Sequence, residues 1–162
     1  PQPGYDSATG DTMKVIDSIV TQAASVAAIR RDIHAHPELC FEEVRTADLV
    51  AQKLTEWGIP IHRGLGTTGV VGIVKSGTSN RAIGLRADMD ALPMQEFNTF
   101  AHASQNAGKM HACGHDGHTA MLLAAAQHFA KHRNFDGTVY LIFQPAEEGG
   151  GGVAGFDDKQ VE

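Results

Sequence analysis

The apolar residues of the chain alternate between helical spacing and short strand-like runs. Residues 13–33 and 41–57 carry apolar side chains at intervals of three and four, which predicts two amphipathic helices that cover a sheet. Short apolar runs at 59–63, 70–75 and 83–86 are separated by glycine-rich turns and predict successive strands. This pattern predicts an α/β fold with a sheet flanked by helices.

A further helix and strand follow along the chain. Residues 118–133 have helical spacing, and we expect this helix to begin near Asp116. Residues 137–144 (GTVYLIFQ) are rich in β-branched and aromatic side chains and end at Pro145. Together with the strand at 83–86, they predict a βαβ unit, in which a helix joins two parallel strands. We therefore expect a mostly parallel sheet.

Side chains that can bind a metal ion lie at one end of each of these three elements. They are carboxylates after the two strands and a thiol and an imidazole at the helix start: Asp88, Asp90, Cys113, His115, Glu147 and Glu148. Because strand ends and helix starts of a βαβ unit meet at one edge of the sheet, we expect these residues to converge on one site.

These donor groups suit a first-row divalent ion. Thiolate and imidazole favour zinc, whereas carboxylate oxygens suit manganese or cobalt, so the sequence leaves the metal open. A carboxylate beside such an ion can take a proton from metal-bound water and later return it to a leaving amine. The adjacent Glu147 and Glu148 fit a division into base and ligand. The cluster therefore points to a metal-dependent hydrolase.

Other interpretations of these residues stay open at this point. Cys113 could be a nucleophile whose pKa is lowered by the helix N-terminus and a histidine, or the cluster could be a buried polar cap of the helix. His34 and His36 lie far upstream and close to Pro37, where a helix must end or kink. For these two histidines we favour a structural role or a role at the edge of a substrate site. His111 and His118 flank the Cys-His pair and are weaker metal candidates.

Four motifs occur in a fixed order along the chain. They are RRDIHAHPELCFEE, LRADMDALPMQE, MHACGHDGHTAMLL and FQPAEEGGGG. In this order they resemble the M20 metallopeptidases, specifically the amidohydrolase branch that contains hippurate hydrolases and auxin-conjugate hydrolases. The resemblance runs from about Met13 to Gly152 and implies the N-terminal portion of a zinc-peptidase-like catalytic domain over 13–152.

The resemblance also implies a pair of divalent metal ions (Zn, Mn or Co) and the roles of individual residues. Cys113, His115 and Glu148 are the implied ligands, and Glu147 is the implied general acid/base for attack by metal-bound hydroxide. Asp90, which we group with the catalytic residues, matches an acid that in the wider family contacts the metal ligands and not the metal itself. Asp88 matches a position that is a ligand only in other branches. The implied reaction is hydrolysis of the amide bond of N-acyl amino acids, including hippurate-like substrates.

The family also uses two later histidine ligands and a small inserted domain that forms a dimer contact. Neither has a counterpart in this sequence, so we keep an alternative in which the chain is a truncated, catalytically inactive half-domain with weak metal binding. Residues 1–12 are turn-rich and are expected to be leader or vector-derived, and residues 153–162 are expected to form an atypical tail.

Composition and charge restrict the classes of partner. A formal net charge of −6 without a basic stripe argues against nucleic acid, and the apolar runs are too short to predict a membrane span. With Cys40 and Cys113 alone no disulfide framework forms, so we expect a cytoplasmic protein.

The glycine pattern at 64–69 precedes a strand-like run, which argues against a dinucleotide site and predicts a hairpin turn. The expected partner is a small N-acyl amino acid, with a homodimer as an open alternative.

Overall fold

The computed structural model describes residues 16–149, which form four helices and four strands. In chain order these elements are α1 (Asp17–Val20), α2 (Ala23–Ala35), α3 (Val44–Glu56), β1 (Ile61–Leu65), β2 (Gly69–Ser76), β3 (Ala82–Asp88), α4 (His115–Lys131) and β4 (Gly137–Gln144). The segments expected to be a leader (1–12) and an atypical tail (153–162) lie outside the described residues.

The four strands form one mixed sheet in the order β1-β2-β4-β3. β1 pairs antiparallel with β2, β2 pairs antiparallel with β4, and β3 pairs parallel with β4. The α/β class is confirmed, and so is the βαβ unit formed by β3, α4 and β4. The expectation of a mostly parallel sheet is wrong for the described strands. The turn at 65–69 is too short for anything but an antiparallel hairpin, and β2 then takes its place beside β4.

The strand β4 has the bounds expected from the sequence, and α4 begins one residue before Asp116. The first expected helix, at 13–33, is divided in the described part, because α1 ends at Val20 and α2 begins at Ala23. The predicted hairpin turn at 64–69 is confirmed, with Gly66 and Thr67 in left-handed conformations (φ 56° and 83°).

One layer of helices packs on the sheet. Every second residue of β4 faces this layer, and the core joins β2 and β4 to α3 and α4 through Val50, Leu54, Val70, Val74, Leu122, Leu123, Val139, Leu141 and Phe143. Burial of each large apolar side chain contributes about 1.5–3 kcal/mol to folding. The helix α2 was expected to cover the sheet, but it packs chiefly on α4.

Parallel pairing of β3 and β4 brings the ends of both strands to one edge of the sheet. Asp88 is the register partner of Gln144, and the N–H of Met89 donates a 3.0 Å hydrogen bond to the carbonyl oxygen of Gln144. The N-terminal part of α4 meets the same edge, where the hydroxyl of Thr119 donates a 2.9 Å hydrogen bond to the carbonyl oxygen of Asp88. Among the described residues no helix is both long and apolar enough to cross a bilayer.

Candidate metal centre

His115, the first residue of α4, is at the centre of the converging polar groups. Its side chain is buried, and its Nδ1 donates a 2.8 Å hydrogen bond to the carbonyl oxygen of Asp90. The other ring nitrogen, Nε2, lies 3.6 Å from Oδ1 of Asp88. It also lies 3.8 Å from carboxylate oxygens of both Glu147 and Glu148. The bond at Nδ1 fixes the ring and leaves Nε2 facing three acids, which is the arrangement common in histidines that bind metals.

A thiol, an imidazole and a carboxylate meet around this nitrogen. Ligand atoms of Cys113, His115 and Glu148 lie within 4.8 Å of one another. Gly114, between the first two, has φ of 91°, a left-handed conformation that favours glycine. Sulfur, nitrogen and oxygen donors of this kind form the usual coordination shell of zinc, so the three residues fit a divalent metal ion. The structure thus brings together the three residues expected as ligands.

A second group of possible ligands shares His115. Asp88, His115 and His118 also place one ligand atom each within 4.8 Å of one another. Nδ1 of His118 donates a 2.5 Å hydrogen bond to Oδ1 of Asp88, and Nη1 of Arg86 lies 3.2 Å from the other oxygen of that carboxylate. His115 and His118 are three residues apart and share a helix face, which is the sequence signal for this pairing.

The acids produce a strongly negative field at the site. Burial by itself would lower the pKa of His115, but the hydrogen bond to Asp90 and the charges of Asp88 and Asp90 raise it to about 9. Burial would raise the pKa of Asp88, yet the hydrogen bond from His118 and the nearby His115 hold it below its usual range. Such a field favours a positive charge near Nε2 of His115.

The pKa of Cys113 moves in the direction opposite to that of an activated nucleophile. A hydrogen bond to Glu148, followed by burial and by the neighbouring carboxylates, raises the pKa of this thiol. A nucleophilic cysteine needs a lowered pKa in order to be a thiolate near neutral pH. The raised pKa therefore disfavours the nucleophile interpretation of Cys113 in the metal-free protein. A bound divalent ion would itself deprotonate a coordinating thiol, so the ligand interpretation does not need a lowered pKa.

The adjacent glutamates follow a tight turn after β4. Ala146 has φ of 53°, and the side chains of Glu147 and Glu148 both reach the Nε2 side of His115. Their exposure differs: the side chain of Glu147 is 43% exposed, whereas that of Glu148 is 22% exposed and lies beside Cys113. The more exposed carboxylate is the one that a substrate or a water molecule can approach.

Asp90 is buried behind these groups. Its Oδ2 accepts a 2.9 Å hydrogen bond from the N–H of Glu148 and a 3.2 Å hydrogen bond from the thiol of Cys40. Burial would raise the pKa of Asp90, but hydrogen bonds from His115 and from the backbone of Glu148 lower it to about 2. Only 1% of Asp90 is exposed, so its carboxylate touches the site residues and is shielded from substrate.

The remaining histidines of the motifs lie outside both ligand groups. His34 is buried, with Nδ1 2.9 Å from Oδ2 of Asp116 and Nε2 3.2 Å from Oε1 of Glu96, which is a structural arrangement. His36 donates to the carbonyl oxygen of Asp32. His111 is buried as well, and neither of its ring nitrogens has a hydrogen-bond partner within residues 16–149.

The sequence pattern did not single out two residues that contact the site. Cys40 donates its thiol proton to Asp90, and burial, followed by that hydrogen bond, raises the pKa of this thiol to about 11. Both Cys40 and Cys113 are free. Glu43 is fully buried and bonds to the chain beside Glu147. Both residues belong to the motif HPELCFEE, whose acids and thiol are the signal that could have drawn attention to them.

Known proteins are similar in sequence to much of this chain. Residues 84–161 match the sequence model described as peptidase family M20/M25/M40. The chain is also 52% identical over 141 residues to hippurate hydrolase of Campylobacter jejuni, which covers 87% of this chain and 37% of that protein. The chain belongs to the M20 peptidase family. The family resemblance of the four motifs is therefore confirmed.

Two further relatives agree with this assignment. N-acyl-L-amino acid amidohydrolase of Geobacillus stearothermophilus is 45% identical over 137 residues, which cover 83% of this chain and 36% of that protein. The crystal structure of a dinuclear metal-binding M20 peptidase from Bacillus subtilis superposes with a TM-score of 0.80 at 41% identity, covering 83% of this chain and 38% of that one. The chain spans less than two fifths of the length of each of these three relatives.

Proposed function

We propose that this chain carries the metal-binding portion of an enzyme that hydrolyses the amide bond of N-acyl amino acids. The observation that carries the proposal is the orientation of His115, whose Nδ1 is fixed by Asp90 while its Nε2 faces three carboxylates. The names of two relatives, hippurate hydrolase and N-acyl-L-amino acid amidohydrolase, support this substrate class.

Cys113, His115 and Glu148 would hold a divalent ion, with zinc, manganese or cobalt as candidates. A second ion is supported by the description of the Bacillus subtilis relative as dinuclear, and Asp88 with His118 is the second donor group near His115. A divalent cation bound there supplies a Lewis acid that polarises an amide carbonyl and makes water more acidic.

The proton transfers are assigned to Glu147. Its carboxylate is the more exposed of the pair and lies 3.8 Å from Nε2 of His115, so it can accept a proton from water within the site. The same carboxyl group then donates that proton to the amino nitrogen that leaves. We assign Asp90 as a positioning residue, and not as a catalytic one, because it holds His115 and the backbone of Glu148 by hydrogen bonds.

A second candidate is that these 162 residues, tested on their own, behave as a half-domain that binds metal weakly and does not hydrolyse substrate. The observation that favours it is coverage, because the chain matches only 37% of the length of the hippurate hydrolase.

Two free cysteines suit a reducing compartment, and we propose the cytoplasm as the location. A homodimer is an additional proposal for the assembled protein.

Metal content and hydrolysis, measured on the same preparation, test the proposal. The 162-residue chain is loaded with zinc or manganese and desalted, its metal is quantified by elemental analysis, and hippurate and other N-acyl amino acids are assayed. The variant with both Cys113→Ala and His115→Ala is the control. Stoichiometric metal that the control lacks, together with turnover, is the expected result. Metal without turnover supports the half-domain, and a control that binds as much metal as the parent contradicts the ligand assignment.

A further inference from the structure

Glu43 is a buried carboxylate that the proposed reaction does not use directly. It lies at the residue before α3 and has no exposed surface. A buried carboxylate is costly unless its oxygens accept hydrogen bonds. Oε2 of Glu43 accepts a 2.6 Å hydrogen bond from the hydroxyl of Thr68, and Oε1 accepts a 2.8 Å hydrogen bond from the N–H of Ala146. Glu43 thus joins three segments that are distant in sequence.

Helix capping does not account for this side chain. Glu43 occupies the N-cap position of α3, but its side chain makes no capping hydrogen bond to that helix. Both carboxylate oxygens are directed instead to the β1-β2 turn and to the loop after β4. These two segments also lie close together, because a Cβ placed on Gly69, at the end of the turn, would lie 3.2 Å from Cδ of Pro145.

The contact with Ala146 is made where the backbone is strained. Ala146 is buried and has φ of 53°, a left-handed conformation that costs about 1–2 kcal/mol for a residue with a Cβ. Such a conformation persists only when its surroundings enforce it. The hydrogen bond to Glu43 is one such restraint, and Glu147 and Glu148 follow immediately in sequence.

Two buried carboxylates therefore hold the backbone on either side of Glu147. Glu43 binds the N–H of Ala146, and Asp90 binds the N–H of Glu148. We infer that Glu43 is a positioning residue that sets the turn at Ala146 and so places the carboxylates of Glu147 and Glu148 beside His115. This inference rests on the proposed function for the roles of the two glutamates, but the conformation of the loop can be measured independently.

The first test measures order in the loop without any metal. Amide hydrogen exchange of the Glu148 N–H is compared between the parent and Glu43→Ala by NMR, with the amide of Leu141 in β4 as internal reference. We expect the loop amide to exchange at least about tenfold faster relative to Leu141 in the variant, because one of its two anchors is lost. An unchanged ratio overturns the inference, whatever the chain does with metals.

The second test measures the affinity for Zn²⁺ by competition with a chelating dye. Glu43→Ala is expected to lose at least about tenfold in affinity at a temperature at which it is folded. Glu43→Gln should stay within about threefold of the parent, since its amide oxygen can accept from Ala146 and its amide nitrogen can donate to Thr68. Glu42→Gln, at an exposed acid paired with Lys109, is the matched control and should change neither readout.

The hydrogen bond between Thr68 and Glu43 can be removed without removing the bond between Glu43 and Ala146. Such a variant separates an effect on the stability of the fold from an effect on the position of the loop. Thr68→Val deletes the hydroxyl but leaves the contact between Glu43 and Ala146, so it should lower the free energy of unfolding with little effect on zinc affinity. If Glu43→Ala does not fold, Glu43→Asp must still weaken zinc binding by at least about threefold, because the shorter side chain withdraws from Ala146. Parent-like affinity in a folded Glu43→Asp overturns the inference. Absence of zinc binding by the parent contradicts the proposed metal site and leaves the exchange experiment decisive for Glu43.

Discussion

The N–H of Glu148 donates a 2.9 Å hydrogen bond to Oδ2 of Asp90 across 58 residues of sequence. Asp90 follows β3 and Glu148 follows β4, so this bond joins the ends of two parallel strands just beyond their last paired residues. The same carboxylate lies 3.2 Å from Nδ1 of His115 through its other oxygen. One buried side chain therefore links all three segments of the candidate metal centre.

The stability of the metal-free protein should depend on the ionised form of Asp90. Its folded-state pKa of about 2 is below the usual aspartate value of 3.8, so the carboxylate stabilises the fold above that value and loses this contribution as the pH falls towards 2. The shift corresponds to a contribution on the order of 2 kcal/mol. Urea unfolding at pH 5 and pH 2.5 should give a larger loss for the parent than for Asp90→Asn.

The control for this experiment is Asp48→Asn, at an exposed carboxylate on α3 that pairs with Arg63. This variant should lose as much stability between the two pH values as the parent does. If Asp90→Asn and the parent lose stability in parallel, the ionised Asp90 does not support the fold in the way that its contacts suggest.

Glu147→Gln should separate proton transfer from metal binding. The amide cannot accept a proton, and general acid/base catalysis typically contributes about 10²- to 10⁴-fold to a rate. We expect hydrolysis of N-acyl amino acids by an active preparation to fall within that range, with metal content unchanged. Glu148→Gln is the matched variant at the neighbouring position and should lose metal. Normal hydrolysis by Glu147→Gln would show that another group carries the proton.

The two ligand groups that share His115 can be distinguished by single substitutions. In the first group the donors are Cys113 and Glu148, and in the second they are Asp88 and His118. Nδ1 of His118 is already engaged by Asp88, so we expect the first metal ion to bind to the first group. Zinc titration of the metal-free chain should therefore show a loss of at least about tenfold in affinity for Cys113→Ala and a change within about threefold for His118→Ala. The reverse pattern would place the first ion between Asp88 and His118.

The convergence of the site could be expected from the sequence because it depends on one local rule. A strand, a helix and a parallel strand return the chain to the same edge of the sheet, and β3, α4 and β4 do so. Cys113, His115 and Glu148 meet for that reason. The bounds of β4 were also predictable, since its β-branched and aromatic residues end at Pro145.

The pairing of strands and side chains that are distant in sequence could not be predicted from such a local rule. Periodicity does not tell which strand β2 will join, and its antiparallel pairing with β4 makes the sheet mixed. The contact between Glu43 and Ala146 spans 103 residues and depends on a left-handed alanine that no local pattern predicts. Hydrophobic periodicity identifies elements and their buried faces, whereas such polar contacts depend on how the elements finally pack.

Two glycine substitutions should change stability in opposite directions. A Cβ at Gly69 would lie 2.3 Å from the carbonyl oxygen of Leu65, so the hairpin backbone would have to move. We expect Gly69→Ala to lower the free energy of unfolding by about 1–3 kcal/mol. Gly117 is in the first turn of α4, and apart from its chain neighbours and the nearby backbone of the helix no heavy atom lies within 4 Å of a Cβ built there. Gly117→Ala should therefore raise the free energy of unfolding by about 0.5–1 kcal/mol.

Urea titrations of the metal-free parent and both variants, followed by circular dichroism, measure these differences directly. Equal slopes of the unfolding free energy against urea would show that unfolding exposes the same amount of surface in the parent and in both variants. Gly117→Ala is the matched control, because it adds the same methyl group where the structure has room. If Gly69→Ala is as stable as the parent, the β1-β2 turn is not as tightly packed against Leu65 and Pro145 as the distances require, and the support that this turn gives to the loop before Glu147 is correspondingly weaker.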